Sequence, residues 1–164
     1  MKIWIDADAC PAPVKEIVIR AVQRVRIPAV FVANKSLLLP RSDYLSTVQV
    51  GQGLDVADQH ISELAVPGDL VVTQDIPLAA TLVKKGVVAM DVRGELFSEE
   101  NIDERLSVRN FMQGLREGGV VTDGPKGFGA QDKQRFAGTF DRELSRLRLL
   151  PLVNSHLDEP KPQR

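Results

Sequence analysis

The chain opens Met1-Lys-Ile-Trp-Ile-Asp6-Ala-Asp8-Ala-Cys10-Pro11, an apolar run that stops on two carboxylates one residue apart. A stretch in which every residue from Ile3 to Ile5 is apolar suits a central parallel strand covered on both faces. Ending such a strand in paired acids costs free energy unless a cation or hydrogen-bond donors neutralise them. The first eleven residues therefore constrain the fold, and they also constrain what can stand at the strand's end.

The rest of the chain supports a sheet of that kind. Pro11 and Pro13 open a helix whose apolar residues, Val14, Ile17, Val18, Ala21, Val22 and Val25, recur every three or four positions until Pro28 stops it. Ala29–Ala33 is a second strand. Leu37-Leu-Leu-Pro40 is an apolar loop, and Thr47–Val50 alternates like a short third strand. After Gly51 and Gly53, the residues Leu54, Ala57, Ile61, Leu64 and Ala65 mark a helix, and Asp69–Thr73 is a fourth strand that leads to Asp75. Pro77 begins a helix that Lys84-Lys85-Gly86 ends, and Val87–Val92 is a fifth strand. Ser98 is placed to cap a helix containing Ile102, Leu106, Phe111, Met112 and Leu115. A glycine-rich connection, residues 118–129, precedes a last helix from Asp132 to Leu149. This order predicts an α/β fold of three layers, with a mainly parallel five-stranded sheet and C-terminal helices. One domain is expected over residues 1–150, with a flexible tail over 151–164.

Bulk properties exclude several classes of function. At 164 residues the chain is long enough for one core without disulfide support, and its single cysteine fits a reducing compartment. A net charge of -1 carries no electrostatic signature of a nucleic-acid binder. No apolar run approaches the roughly 20 residues of a membrane span. The N-terminus enters a strand directly, so the expected location is the cytoplasm without membrane association. A homodimer is neither required nor forbidden by the sequence.

In an open parallel sheet, ligands bind beyond the carboxyl ends of the strands, where strand order reverses. If the first and fourth strands are neighbours there, Asp6, Asp8 and Asp75 converge. Asp58 lies at the edge of the apolar stripe of the helix after Gly53, and Asp55 flanks it one turn earlier. Carboxylates so crowded favour a hard cation among them, Mg²⁺ or Mn²⁺. The competing reading makes Asp8 and Asp75 N-caps of the helices that come after them.

Several segments resemble a bacterial family of uncharacterised proteins known as UPF0178, or YaiI/YqxD (DUF188). They are Ile-Trp-Ile-Asp6-Ala-Asp-Ala-Cys-Pro11, Val32-Ala-Asn34, Asp55-Val-Ala-Asp58, Gly68-Asp-Leu-Val-Val-Thr-Gln-Asp-Ile-Pro-Leu-Ala79, Lys85-Gly86, Arg93-Gly94, Asn101-Ile102, Arg109, Leu115-Arg116 and Gly124-Pro125. One departure stands at Thr122-Asp-Gly-Pro125, where the family is expected to read Thr-Gly-Gly-Pro. The resemblance also implies membership of the PIN-like nuclease superfamily and hence a PIN-like, Rossmann-like fold. Nucleases of that group carry metal-binding acids at places comparable to Asp6, Asp8, Asp55, Asp58 and Asp75.

The resemblance and the acids together lead to an expectation of metal-assisted phosphodiester hydrolysis, with RNA as substrate and Asp6, Asp8 and Asp75 as the catalytic acids. Asn34 and Thr73 are expected to hydrogen-bond substrate. Lys126, Lys133 and Arg135 are the expected phosphate contacts beside the glycine-rich connection. Two alternatives stay open: a catalytically silent module that binds metal, RNA or protein, and a haloacid-dehalogenase-type phosphatase with Asp6 as nucleophile. Cys10 reads as a small buried filler, and neither His60 nor His156 reads as a ligand. Arg105, Arg109 and Arg116 read as solvated ion-pairing residues that do not share one helical stripe.

Overall fold

The computed structural model of the chain describes residues 1–53, 56–120 and 127–157, with the backbone alone over 151–157. Six strands form one sheet: β1 (Ile3–Asp6), β2 (Ala29–Ala33), β3 (Leu45–Gln49), β4 (Leu70–Val72), β5 (Val88–Met90) and β6 (Leu96–Phe97). Their order is β3-β2-β1-β4-β5-β6. All pairings are parallel except β5 with β6, a two-residue antiparallel addition to the five strands expected from the sequence. Among the described residues, five α-helices and a short 3-10 turn (Ala7–Ala9) complete the fold: α1 (Ala12–Val25), α2 (Val56–Leu64), α3 (Ile76–Lys85), α4 (Glu99–Glu117) and α5 (Ala130–Leu157).

The alternation of side chains along each strand divides the interior into two cores. Ile3, Ile5, Phe31, Leu70, Val72 and Met90 point to the face covered by α1 and α5, where they meet Val14, Val18, Phe136, Phe140 and Leu144. Trp4, Val30, Val32, Val71 and Ala89 point to the other face, covered by Ile61 of α2, Leu78 and Leu82 of α3, and Ile102 of α4. The three-layer α/β/α arrangement expected from the sequence is thus present. His60 belongs to the second face: its ring stands edge-on to Trp4 with centroids 6.1 Å apart.

Local chemistry sets the element ends. Arg26, in the left-handed region at φ 59°, closes α1. Gly86, at φ 82°, closes α3, which Pro77 helps to begin. Ser98 and Asn101 form a reciprocal capping box at the start of α4. The β5–β6 turn is ordered by Asp91, whose Oδ1 accepts from the backbone N–H groups of Arg93 and Glu95.

That turn also anchors α5. Gly94 adopts φ 86°, and a Cβ there would lie 2.5 Å from the backbone carbon and oxygen of Arg135. Thr139 donates a 2.7 Å hydrogen bond to the Gly94 carbonyl, and Arg93 pairs with Asp132 at 2.9 Å. Any side chain at position 94 therefore meets both an unfavourable φ and rigid helix backbone. Gly94→Ala is expected to lower unfolding stability by about 2–4 kcal/mol. Urea denaturation of the variant beside wild type measures this, and a loss below about 0.5 kcal/mol would show that α5 docks without needing close approach at the turn.

Candidate functional site

The parallel pairing of β1 with β4 (Ile3↔Leu70, Trp4↔Val71, Ile5↔Val72) is where strand order reverses. β1 ends in Asp6, and β4 is followed by Thr73 and Asp75. The neighbourhood on which convergence of the acids depended is therefore present. Asp6, Asp8, Asp58 and Asp75 line one cleft of about 240 Å³ together with Asn34, and among the described residues no lysine, arginine or histidine contributes to its wall. Asp55 lies outside the described residues.

Each of three acids is oriented through one oxygen. Thr73 is 1 % exposed, and its hydroxyl donates to Asp6 Oδ2 at 3.0 Å while accepting from the Asp75 N–H at 3.0 Å. Asp75 caps α3, with Oδ1 accepting from the Leu78 N–H at 2.9 Å. Asp8 does not cap the helix that comes after it. Its Oδ2 instead accepts from the Asn34 N–H at 2.9 Å, which ties the end of β1 to the end of β2. Among the described residues, the second oxygens of Asp6, Asp8 and Asp75 accept no hydrogen bond. The capping reading thus holds for Asp75 and fails for Asp8. Neither role uses up the carboxylate.

The electrostatics arise from this crowding. Burial pushes the Asp6 carboxyl above the ordinary carboxylate range, the Thr73 hydroxyl pulls it back, and the charges of Asp75 and Asp8 push it up again. No three acidic, histidine or cysteine side chains among the described residues stand close enough to share one ion as a protein cage. The chemistry of the donor set still fits Mg²⁺, which is held by one or two carboxylates and keeps several waters.

The other expected site residues divide. Asn34 lines the cleft. Thr73 is buried with its hydroxyl committed to two partners, so it positions the acids rather than offering a substrate contact. Lys133 and Arg135 are exposed on α5 and do not line the cleft. Near them the Gly129 N–H already donates to Asp132 at 3.0 Å, a bond that with Arg93 holds the Asp132 carboxyl below its ordinary range. Lys126 lies outside the described residues. Cys10 is buried, and loss of solvation pushes its thiol up to about 12, which fits a filler and not a nucleophile.

Two groups escaped sequence reading. Asp69, 5 % exposed, accepts from the Lys2 and Val66 N–H groups and the Trp4 indole, closing the β1–β4 seam at the end opposite the cleft. The arginines of α4 also need correcting. Positions 105, 109 and 116 fall within about 40° of one another on a helix, and all three line one groove.

Stability separates charge from capping. The folded chain holds the Asp6 proton more tightly than the unfolded chain does. Asp6 therefore adds no penalty below about pH 4 and becomes destabilising as pH rises through its raised value. In metal-free buffer, Asp6→Asn is expected to melt above wild type at neutral pH and to lose that advantage in acid. Asp75→Ala is expected to melt lower, since losing a cap costs about 1 kcal/mol, or roughly 2–4 °C. Asp75→Asn keeps the cap and melts above Asp75→Ala. Differential scanning calorimetry across pH tests the set, and a lower melting temperature for Asp6→Asn at neutral pH would refute the charge-crowding account.

Comparison with known proteins agrees with the sequence motifs. Residues 4–146 match the uncharacterised YaiI/YqxD family, DUF188. A UPF0178 protein of Myxococcus xanthus is 69% identical over 147 residues, covering 90% of this chain and 96% of its own. One from Syntrophobacter fumaroxidans is 58% identical over 89% and 95%, and one from Geobacter metallireducens is 56% identical over 90% and 95%. A solved crystal structure aligned over 97% of this chain and 98% of its own has 10% identity and a TM-score of 0.35, too low to bear on function. On its motifs, its length of match and its identity to these relatives, the chain belongs to the uncharacterised YaiI/YqxD (UPF0178) family.

Proposed function

We propose that the acidic cleft hydrolyses phosphodiester bonds, with RNA as the substrate class and a divalent cation, Mg²⁺ or Mn²⁺, as cofactor. The observation that carries this reading is the division of labour on Asp6, Asp8 and Asp75: one oxygen of each is held by the protein and the other takes no hydrogen bond among the described residues. The leftover oxygens of Asp6 and Asp75 are not buried and Asp8 is exposed, so they stay open to solvent or to a cation. Three half-satisfied acids at a topological switch point resemble a preorganised oxygen donor set.

Asp6 and Asp75 would hold the cation, with Asp8 and Asp58 completing its surroundings directly or through water. When bound, such an ion lowers the pKa of a water molecule and neutralises charge on the attacked phosphate. The chain's own residues set the conditions for this. Thr73 fixes Asp6 and the start of α3 through one hydroxyl, so both acids keep their spacing as charge in the cleft changes. Asp8 is held to Asn34, which brings an amide side chain to the wall of the cleft. With four acids and no cationic side chain among the described residues of that wall, the cleft favours a cation arriving from outside.

The test is cleavage of labelled RNA, single-stranded DNA and a phosphomonoester by the purified full chain with Mn²⁺ and with EDTA. Polynucleotide cleavage that needs the metal is expected. It should fall about 100-fold or more in Asp6→Asn, the usual scale for losing one electrostatic stabiliser. Phosphate release through a trapped aspartyl-phosphate would replace this reading by the phosphatase one. Calorimetry that shows no Mn²⁺ binding to wild type would sink the metal site itself.

A further inference from the structure

The arginine stripe of α4 lies beside the acidic cleft, and neither the fold nor the proposed hydrolysis accounts for two of its members, Arg109 and Arg116. Arg105, Arg109 and Arg116 line an open groove of about 450 Å³ along one side of α4. Arg109 also lines a second depression, together with Asp58 and Asp75, the same two acids that form one wall of the cleft. A continuous surface therefore runs from the acids, past Arg109, and along α4 to Arg116.

The three arginines differ in their commitments. Arg105 is structural: its guanidinium pairs with Asp91 at 3.3 Å and Glu95 at 3.6 Å, and stacks 4.4 Å from the centroid of the Phe97 ring. Arg109 donates to the neighbouring Asn110 side chain, an exposed contact between adjacent residues that water readily replaces. Arg116 is exposed in the last turn of α4. Arg109 and Arg116 are seven residues apart, which places them about 10 Å from each other along the helix. That spacing suits separate anionic groups of an extended ligand better than a single phosphate. Glu104 on the rim opposes binding, and Val108 and Met112 give the floor an apolar part between the charges.

We propose that Arg109 and Arg116 form a track for the phosphate backbone of a single-stranded polynucleotide, feeding the strand to the acidic cleft. This rests on the reading of the cleft as a phosphodiester site and deepens it by naming where the rest of the substrate lies. Guanidinium groups grip phosphate oxygens with paired N–H donors. Phosphate contacts position a strand without reading its bases, and among the described residues no aromatic ring lines this groove to stack them. The overall charge of -1 does not reveal such a site, because only three of the 21 lysines and arginines share this helix face.

Binding of short fluorescent RNA and DNA single strands to the full chain is measured in EDTA, by anisotropy, over a range of salt. Wild type is expected to bind strands of any sequence. Arg109→Ala/Arg116→Ala should bind more weakly whatever the sequence. Its log K against log salt should also be shallower by about 1.4, twice the ~0.7 expected of one single-strand contact. Asp6→Asn, which removes a negative charge from the cleft, is expected to bind at least as well as wild type. Circular dichroism melting of the double variant checks that α4 is intact, and Arg109→Lys/Arg116→Lys should restore most of the salt slope. Unchanged affinity and slope in the double alanine variant would overturn the track. Wild-type hydrolysis of a small phosphodiester, too short to reach α4, reports on the cleft separately, so failure of the track and failure of the cleft remain distinguishable.

Discussion

The pairing of β1 with β4 is the contact on which the rest of this structure depends. It joins the two halves of the sheet where strand order reverses, and it is closed by side chains at both ends. At one end Asp69 gathers the Lys2 and Val66 N–H groups and the indole of Trp4. At the other, Thr73 joins Asp6 to the start of α3. Between them Ile3, Ile5, Leu70 and Val72 are fully or almost fully buried. The seam thus has a dry apolar middle and an acid at each end. The two acids differ in their surroundings: Asp69 takes three N–H donors, whereas Asp6 takes one hydroxyl and faces two more carboxylates.

That difference separates a structural acid from a candidate functional one. Three N–H donors satisfy the buried carboxylate of Asp69. One hydroxyl cannot fully offset burial beside like charges, so Asp6 stores unfavourable energy at neutral pH that a cation would release. Sites that depart from local stability rules in this way are where function is usually found.

How far the sequence exposed this arrangement depended on range. Period and punctuation are local, so β2 was read to the residue, and the capping role of Ser98 was legible from its place before an apolar helix. The acids at the ends of β1 and β4 were legible for the same reason. Three features were hidden because they depend on which elements touch. Thr73 reads as a substrate contact until β1 lies beside it and Asp6 takes its hydroxyl. Asp69 reads as the opening residue of a strand until Trp4 reaches it. β6 is two residues long and exists because the Asp91 turn folds it back onto β5. The arginine stripe is a different case: its angular spacing was present in the sequence, and only the depression that Arg109 lines with Asp58 and Asp75 shows that the stripe adjoins the cleft.

The placement of α4 gives this last relation its physical sense. Attractive cations inside the cleft would pair with Asp6 and Asp75 and exclude a metal ion. Cations on the neighbouring helix leave the described wall of the cleft without positive charge, and in the proposed reading they would hold phosphates beyond it. The fold keeps the two charges apart by mounting the acids on strand ends and the arginines on α4, with the start of α3 between them. Asp75 therefore serves three relations at once: it caps α3, raises Asp6, and stands with Asp58 at the boundary between the cleft and Arg109. A single residue at that junction couples helix geometry to the electrostatics of both surfaces, which is the relation that the proposed track requires.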